Sequence, residues 1–387
     1  MGYLVPLFFL MCFPAFAQDF ETAWMDRIRQ ELREEAPLTQ KPVLTEFMAG
    51  ELLYFDTNIS LNDDAESDFV SVTYFRTRVD YVEELFDFVG DLMINYNYYL
   101  GNSEYSDHEE RLYSRFRYMG PSITFEVAEI FRRESDPIDA TFIQRAERFV
   151  SNTIPRVAYD VSNFLTMELE GDLQFVQFQD SAFDAINNFN MKWNLSAIGH
   201  LTPVHDAFVQ LGFLSVNYTD SSGPGNATGY SLRTGYRGEL ATDLQMEAFL
   251  GYTLANSSEK DAGVLDAQFH IRFHVTELLR LHLSYTRGIG FSGGDSSFQT
   301  VEQMIWNIHY SLMMDLDMTG RIHYENVDPS RGSERDFYSL GIGAEYRILE
   351  NLAADTGLTY RFGRVWETDT GRDFNDFIFH IGVAGAF

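Results

Sequence analysis

From Gly50 to the C-terminus the chain keeps repeating one format, with apolar side chains at every second position and polar or charged ones between. Phe189, Met191, Trp193, Leu195 and Ala197 alternate with Asn190, Lys192, Asn194 and Ser196. Leu265, Ala267, Phe269, Ile271 and Phe273 alternate with Asp266, Gln268, His270, Arg272 and His274. The same format runs through Tyr230 to Arg237, Leu279 to Thr286, Ser339 to Arg347 and Leu352 to Arg361. A period of two belongs to an extended strand, whose successive side chains point to opposite faces; a helix cannot hold such a stripe on one side. The expected fold class is all-β.

Which face meets water decides between two architectures. In a soluble sandwich the apolar face is the core; in a membrane barrel it meets lipid, and the polar face lines a wet lumen. Tyrosines gather near strand ends at Tyr96, Tyr98, Tyr99, Tyr252, Tyr285, Tyr324 and Tyr360, as interfacial girdles require. Short turns at Leu201-Thr202-Pro203, Leu240 to Asp243, Val275-Thr276-Glu277, Leu316-Asp317-Met318 and Leu349-Glu350-Asn351 alternate with longer polar loops. Those loops are expected at Thr219 to Thr228, Ala255 to Gly263, Gly288 to Gln299, Asn326 to Arg335 and Val365 to Phe374. After the first residues no apolar run is long enough for a spanning helix, and backbone groups in lipid must be satisfied internally, so a closed barrel is favoured.

The pattern predicts strands near 50–61, 68–80, 87–100, 111–119, 122–132, 150–161, 164–179, 187–200 and 207–218. It continues at 229–240, 244–254, 264–275, 279–288, 300–314, 318–326, 336–348, 352–364 and 374–387. The expectation is a transmembrane antiparallel up-and-down β-barrel of about 18 strands, with 16 as the alternative because region 120–162 is the least regular. Either count leaves room for an aqueous lumen.

The last strand carries a resemblance. Phe377, Phe379, Ile381, Val383, Gly385 and Phe387 share one face, and the sequence ends on that aromatic residue. It looks like the C-terminal strand of a Gram-negative outer-membrane β-barrel, with Phe379, Ile381, Val383 and Phe387 as the implied insertion signal read by the barrel-assembly machinery. The repeated strand, Leu-Thr-Pro-type turn and strand of Asn187 to Phe387 resembles the β-barrel porin family found with exopolysaccharide or exosortase gene sets. That resemblance implies a cell-outer-membrane barrel among lipid and lipopolysaccharide, associated with envelope polysaccharide and without assigned catalytic residues.

At the other end, Tyr3 to Phe16 is an apolar run too short to span a bilayer, followed by the small-x-small pattern Ala15-Phe16-Ala17 of a secretory cleavage site. Residues 1–17 are expected to be a signal peptide, which holds Cys12, the one cysteine. Phe20, Trp24, Ile28 and Leu32 lie four apart on one face of a short expected helix. Residues 18–48 are expected to form that periplasmic helix and a linker, and residues 49–387 the barrel.

The formal net charge is −30, and acidic residues gather in expected loops such as Asn62 to Asp68 and Asp373 to Asp376. On the expected inward face, cations and anions mix. Arg115, Arg117, Glu168, Glu170, Lys192, Arg233, Arg237, Arg272, Arg280, Arg321, Glu345, Arg347 and Arg361 are the candidate pore-lining residues. Opposite charges on neighbouring strands can pair across the ladder. Two readings stand: a charged eyelet that filters solutes by sign and size, or a mixed-charge lumen that merely holds water. His200, His270, His274, His282, His309, His323 and His380 share the polar face, but His270 and His274 lie about 13 Å apart by strand rise. No metal site or cofactor is expected.

The Gly-x-Ser-x-Gly string at Gly290 to Gly294 falls in an expected loop between two strands rather than at a strand-to-helix elbow, and there is no phosphate loop or basic nucleic-acid patch, so neither enzyme nor nucleic-acid partner is expected. The functional expectation is passive diffusion of small hydrophilic solutes, or polysaccharide export, through a charged lumen. The alternative is a structural or adhesive surface barrel, plugged by its own loops, whose acidic loops bind cations or glycans. Gly288 to Gln299 is the stretch best suited to fold inward.

Overall fold

The computed structural model describes residues 43–57, 67–134, 147–220, 225–257, 261–291, 298–313, 315–329, 334–349, 352–366 and 373–386. The expected signal peptide and helix, and Phe387, lie outside the described residues, as do parts of several loops.

Among the described residues, eighteen strands follow one another along the chain. They are β1 (Val43–Asp56), β2 (Asp68–Val82), β3 (Phe86–Tyr99), β4 (Asp107–Met119), β5 (Ile123–Glu134), β6 (Arg148–Ser162), β7 (Leu165–Phe178), β8 (Asn188–Thr202) and β9 (His205–Tyr218). Then come β10 (Ala227–Ala241), β11 (Leu244–Ser257), β12 (Asp261–His274), β13 (Leu279–Phe291), β14 (Phe298–Met313), β15 (Leu316–Pro329), β16 (Glu334–Leu349), β17 (Leu352–Trp366) and β18 (Asp373–Ala386). Each pairs antiparallel with its neighbours in sequence, and β1 pairs with β18 from Met48–Ala386 to Asp56–Ile378, which closes the sheet into an up-and-down barrel. Closure removes every sheet edge, the condition for a sheet to cross a membrane.

The count of eighteen includes the irregular region. β5 and β6 pair from Ile123–Tyr159 to Glu134–Arg148. The β6–β7 ladder breaks between Thr153–Leu173 and Arg156–Glu170. Pro155 lies in that gap and has no N–H to donate. Opposite it, a Cβ on Gly171 would meet the Trp193 ring at 2.8 Å, so glycine lets the indole lie flat across the strand.

Several expected boundaries move. β1 begins at Val43 rather than 50, β11 and β12 leave only 258–260 between them, and β15 and β16 run on to Pro329 and from Glu334. Their ends are polar, so composition reads as loop, yet the hairpins keep pairing beyond the apolar band. The turn expected at Leu316-Asp317-Met318 is also displaced, since these residues open β15 opposite Tyr346, Glu345 and Ala344.

One row of each strand points outward and is largely apolar. Phe75, Leu232, Leu250, Ile342 and Tyr230 are exposed, as are Phe379, Ile381 and Val383 of the last strand. The turns joining β2 to β3, β4 to β5, and each later even strand to the next define one end of the barrel, here the turn end. The remaining connections define the loop end.

Candidate functional site: the lumen and its mouth

Strand register carries the lumen residues inward. Because Arg76 is buried, its row partners Met48 and Met93 also face in, and the parity propagates strand by strand. On this count Arg115, Arg117, Glu168, Glu170, Lys192, Arg233, Arg237, Arg272, Arg280, Arg321, Glu345, Arg347 and Arg361 occupy inner rows, opposite the exposed apolar rows.

Many of these cations are tied to the wall. Arg115 donates from Nη2 to Asp87 Oδ1 at 3.0 Å, and Arg117 from Nε to Asp87 Oδ2 at 2.8 Å, so one carboxylate that is 1% exposed holds two guanidinium groups. Next to them Arg76 donates from Nε to Asp91 at 2.7 Å, and Arg78 to Asp80 at 2.8 Å. Arg233 donates to Asp266 at 2.9 Å and to Gln210 at 3.2 Å, with its guanidinium carbon 5.1 Å from the Phe249 ring centre. Arg237 and His200 share Asp206, each at 2.7 Å; Arg156 donates to Glu168 at 2.6 Å; Arg361 reaches Asp376 and Asp56. Charge-assisted bonds of this kind fix both partners.

Sequence reasoning missed Asp87, Asp91, Asp56 and Asp206, and read Asp376 as part of an acidic loop. In the structure Asp376 lies within β18, 1% exposed. The signal was present: Asp87 and Asp91 share parity with Asn95 and Asn97 on β3.

The lumen candidates differ in their freedom. Glu170 lies opposite Arg156 and Asn194, Lys192 opposite Asp172, and Glu345 between Asp317 and Asp355. Arg347 lies opposite Ala353 near the turn end. On the turn-end half of β12 to β15, basic side chains cluster. Arg272 is opposite His282, His274 opposite Arg280, Arg280 opposite His309, and Arg321 opposite Asn307. The His270 and His282 rings stack at 6.1 Å. Carboxylates reach this wall at Glu247, opposite His270, and at Asp317, 3.4 Å from His309. Arg272 and His274 are exposed to the lumen.

At the loop end the expected polarity breaks in three patches, where inward-facing residues are apolar. Loop segments supply the reason. Tyr105, in the 3-10 turn Ser103–Tyr105, packs on Leu52, Val70, Val72 and Tyr99. Phe183 and Ile186, in the 3-10 helix Ser181–Ile186, pack on Val150, Val176 and Phe178; Asp180 caps that helix by accepting from Ala182 N at 2.9 Å. A third layer comes from the β13–β14 hairpin. Pairing between β12 and β13 stops at Ala267–Arg287, while β13 and β14 stay paired to Phe291–Phe298. Released from β12, the stem leans across the inner wall. Phe298, 2% exposed, joins Val216, Tyr218, Ala227 and Ala255 of β9 to β11, with Ala262 and Ile289 against them. A Cβ at Gly288 would come within 2.7 Å of Asp266 Oδ1, so the crossing needs glycine there. The stem of the stretch expected to fold inward does so; residues 292–297 lie outside the described residues.

A closed antiparallel barrel, apolar outside and charged inside, with short turns at one end and packed loops at the other, defines the class: a transmembrane β-barrel of the outer-membrane type. No family model matches the sequence, and comparison with curated proteins gives no match. Among solved structures the chain is similar to the outer membrane protein opdK from Pseudomonas aeruginosa, with TM-score 0.47 and 11% identity over 89% of this chain and 99% of that one. Acinetobacter baumannii OccAB3 gives 0.46, 11%, 89% and 99%. Pseudomonas aeruginosa OccK2 (OpdF), solved in complex with glucuronate, gives 0.46, 10%, 89% and 98%. The architecture above rests on this chain's own register.

Proposed function

We propose that this protein is a passive channel of the Gram-negative outer membrane for small hydrophilic solutes. The observation that carries the reading is closure of eighteen strands around charged inner rows, since a barrel of this size encloses an aqueous channel rather than a packed core. Arg115 and Arg117 with Asp87, Arg361 with Asp376, and the β10 arginines act as struts that hold the wall polar. Arg272, Arg280 and Arg321, with the neighbouring histidines, form the wall that a passing anion meets. The β13–β14 stem narrows the mouth and favours small solutes over an extended polysaccharide, the larger cargo suggested by the exopolysaccharide resemblance. The outward row of β18 addresses lipid, lipopolysaccharide and the assembly machinery. The transport step is diffusion, without bond-making.

Single-channel conductance of the refolded protein in a planar bilayer tests this. Discrete steps with a reversal potential favouring anions in a salt gradient are expected. Silence from protein shown to be folded would overturn it in favour of the second reading, a surface barrel closed by its own loops, which the three loop layers packed into the mouth support.

A further inference from the structure

The outer wall is not uniform. From β7 round to β18 the outward row at mid-strand is almost wholly aliphatic or aromatic, as at Leu195, Leu211, Leu232, Leu250, Trp306 and Ile342. On β1 to β6 two carboxylates interrupt it. Glu51 is the ninth of 14 residues in β1 and shares its row with Phe47, Leu53 and Phe55. Glu129 is the seventh of 12 in β5 and lies between Val127 and Phe131 on the outward row. Register confirms their side of the sheet: Glu51 is opposite Thr73, and Glu129 is opposite Ser114 and Thr153, all on outward rows.

The two surroundings repeat. Ser71 Oγ donates to Glu51 Oε1, and Thr73 Oγ1 donates to Oε2 at 2.7 Å. Ser151 Oγ donates to Glu129 Oε1 at 2.6 Å, and Thr153 Oγ1 donates to Oε2. In each case a Ser-x-Thr on the following strand supplies one hydroxyl to each carboxylate oxygen. Neither glutamate has a cation partner among the described residues, unlike outward charges nearer the loop end. There Arg133 pairs with Glu147, with Glu110 within 3.9 Å, and Arg287 lies 4.0 Å from Glu302. Two hydroxyls offset only part of the cost of placing a carboxylate against hydrocarbon. Two such groups in one sector indicate that protein, not lipid, covers it.

We propose that the β1–β6 face is the contact between copies of this chain, the Glu51 row of one subunit meeting the Glu129 row of the next. Copies inserted in one orientation can be related only by a rotation axis along the membrane normal, and such a rotation preserves depth. A polar group at one depth must therefore meet a polar group at the same depth. Glu51 and Glu129 satisfy this, each lying within two residues of the middle of its strand. An unrelated partner would impose no such match. At the seam, Ser114 and the two Ser-x-Thr ladders give the carboxyl groups hydroxyl partners from both subunits in place of acyl chains. The inference needs the membrane-spanning barrel but not conduction through it.

Cysteine cross-linking tests it, in a chain whose Cys12 is replaced by serine. Ala49→Cys with Val127→Cys places thiols on the two rows and leaves both carboxylate cradles intact. On oxidation in native membranes this pair should yield covalent dimers and larger species. Leu250→Cys with Leu283→Cys, on the far wall, should stay monomeric. Folded protein with no cross-link from the first pair, equal cross-linking from both, or a cross-link only to a different protein would each overturn the proposal. A second measurement separates interface from lipid contact. Glu51→Leu with Glu129→Leu should lower the oligomer fraction several-fold while the barrel stays folded. A lipid-facing sector would instead give a barrel at least as heat-stable, with its oligomeric state unchanged.

Discussion

Asp87 shows how much one side chain can hold. It is almost fully buried and bonded to both Arg115 and Arg117, whose side chains are themselves 9% and 22% exposed. Asp87→Asn keeps the shape but removes the charge, leaving two guanidinium groups facing each other across a lost anion. Breaking a buried pair from one side costs about 3 kcal/mol, so the urea midpoint of the refolded barrel should fall accordingly; an unchanged midpoint would mean lumen water screens the pair. Phe298 is a second residue-scale case. Phe298→Ala removes the largest apolar group from the cluster with Val216 and Tyr218, and Phe-to-Ala losses in packed clusters run to about 3 kcal/mol. The loss should be local, seen as faster hydrogen exchange in β13 and β14 above Arg287 and not in β17 or β18.

At the scale of elements, the β13–β14 hairpin and the β12–β15 wall make separable contributions. The stem leaves the wall above Ala267–Arg287 and lies against β9 to β11. Replacing Gly290 to Gln299 by a tight turn should raise single-channel conductance several-fold without changing the sign of ion selectivity. Unchanged conductance would show that the narrowest point lies elsewhere. The basic wall should govern sign rather than size. Arg272→Glu with Arg280→Glu reverses charge where His270, His274, His282 and His309 line the same face, and should move the reversal potential toward cation preference with conductance changed less than twofold. A reversal potential that stays in place would assign selectivity to the acidic loops.

For the whole molecule, the alternation of side chains fixed nearly everything that follows from a period of two. Up-and-down order, a count of about eighteen strands with sixteen left open, and the alternation of faces along each strand follow from parity and turn spacing, local properties of the chain; the choice of eighteen and the closure of the last strand on the first came from the sheet itself. Phe189 to Ala197 and Leu265 to His274 could be assigned to opposite faces without coordinates because a strand has only two. What tertiary structure alone decided depends on which strands come to lie beside one another and how far each hairpin stays paired. Asp87 serves two arginines of the next strand, and Arg361 joins Asp376 to Asp56 across the seam between first and last strands, because register brings them together. Val216, Tyr218 and Ala255 face inward yet are dry, because a hairpin distant in sequence is released from its neighbour and folds over them. Glu51 and Glu129 read locally as polar interruptions of two unrelated strands; only the closed barrel puts them at one depth on one face. Alternation is written residue by residue and survives any context, whereas a contact between distant segments exists only once the sheet has closed.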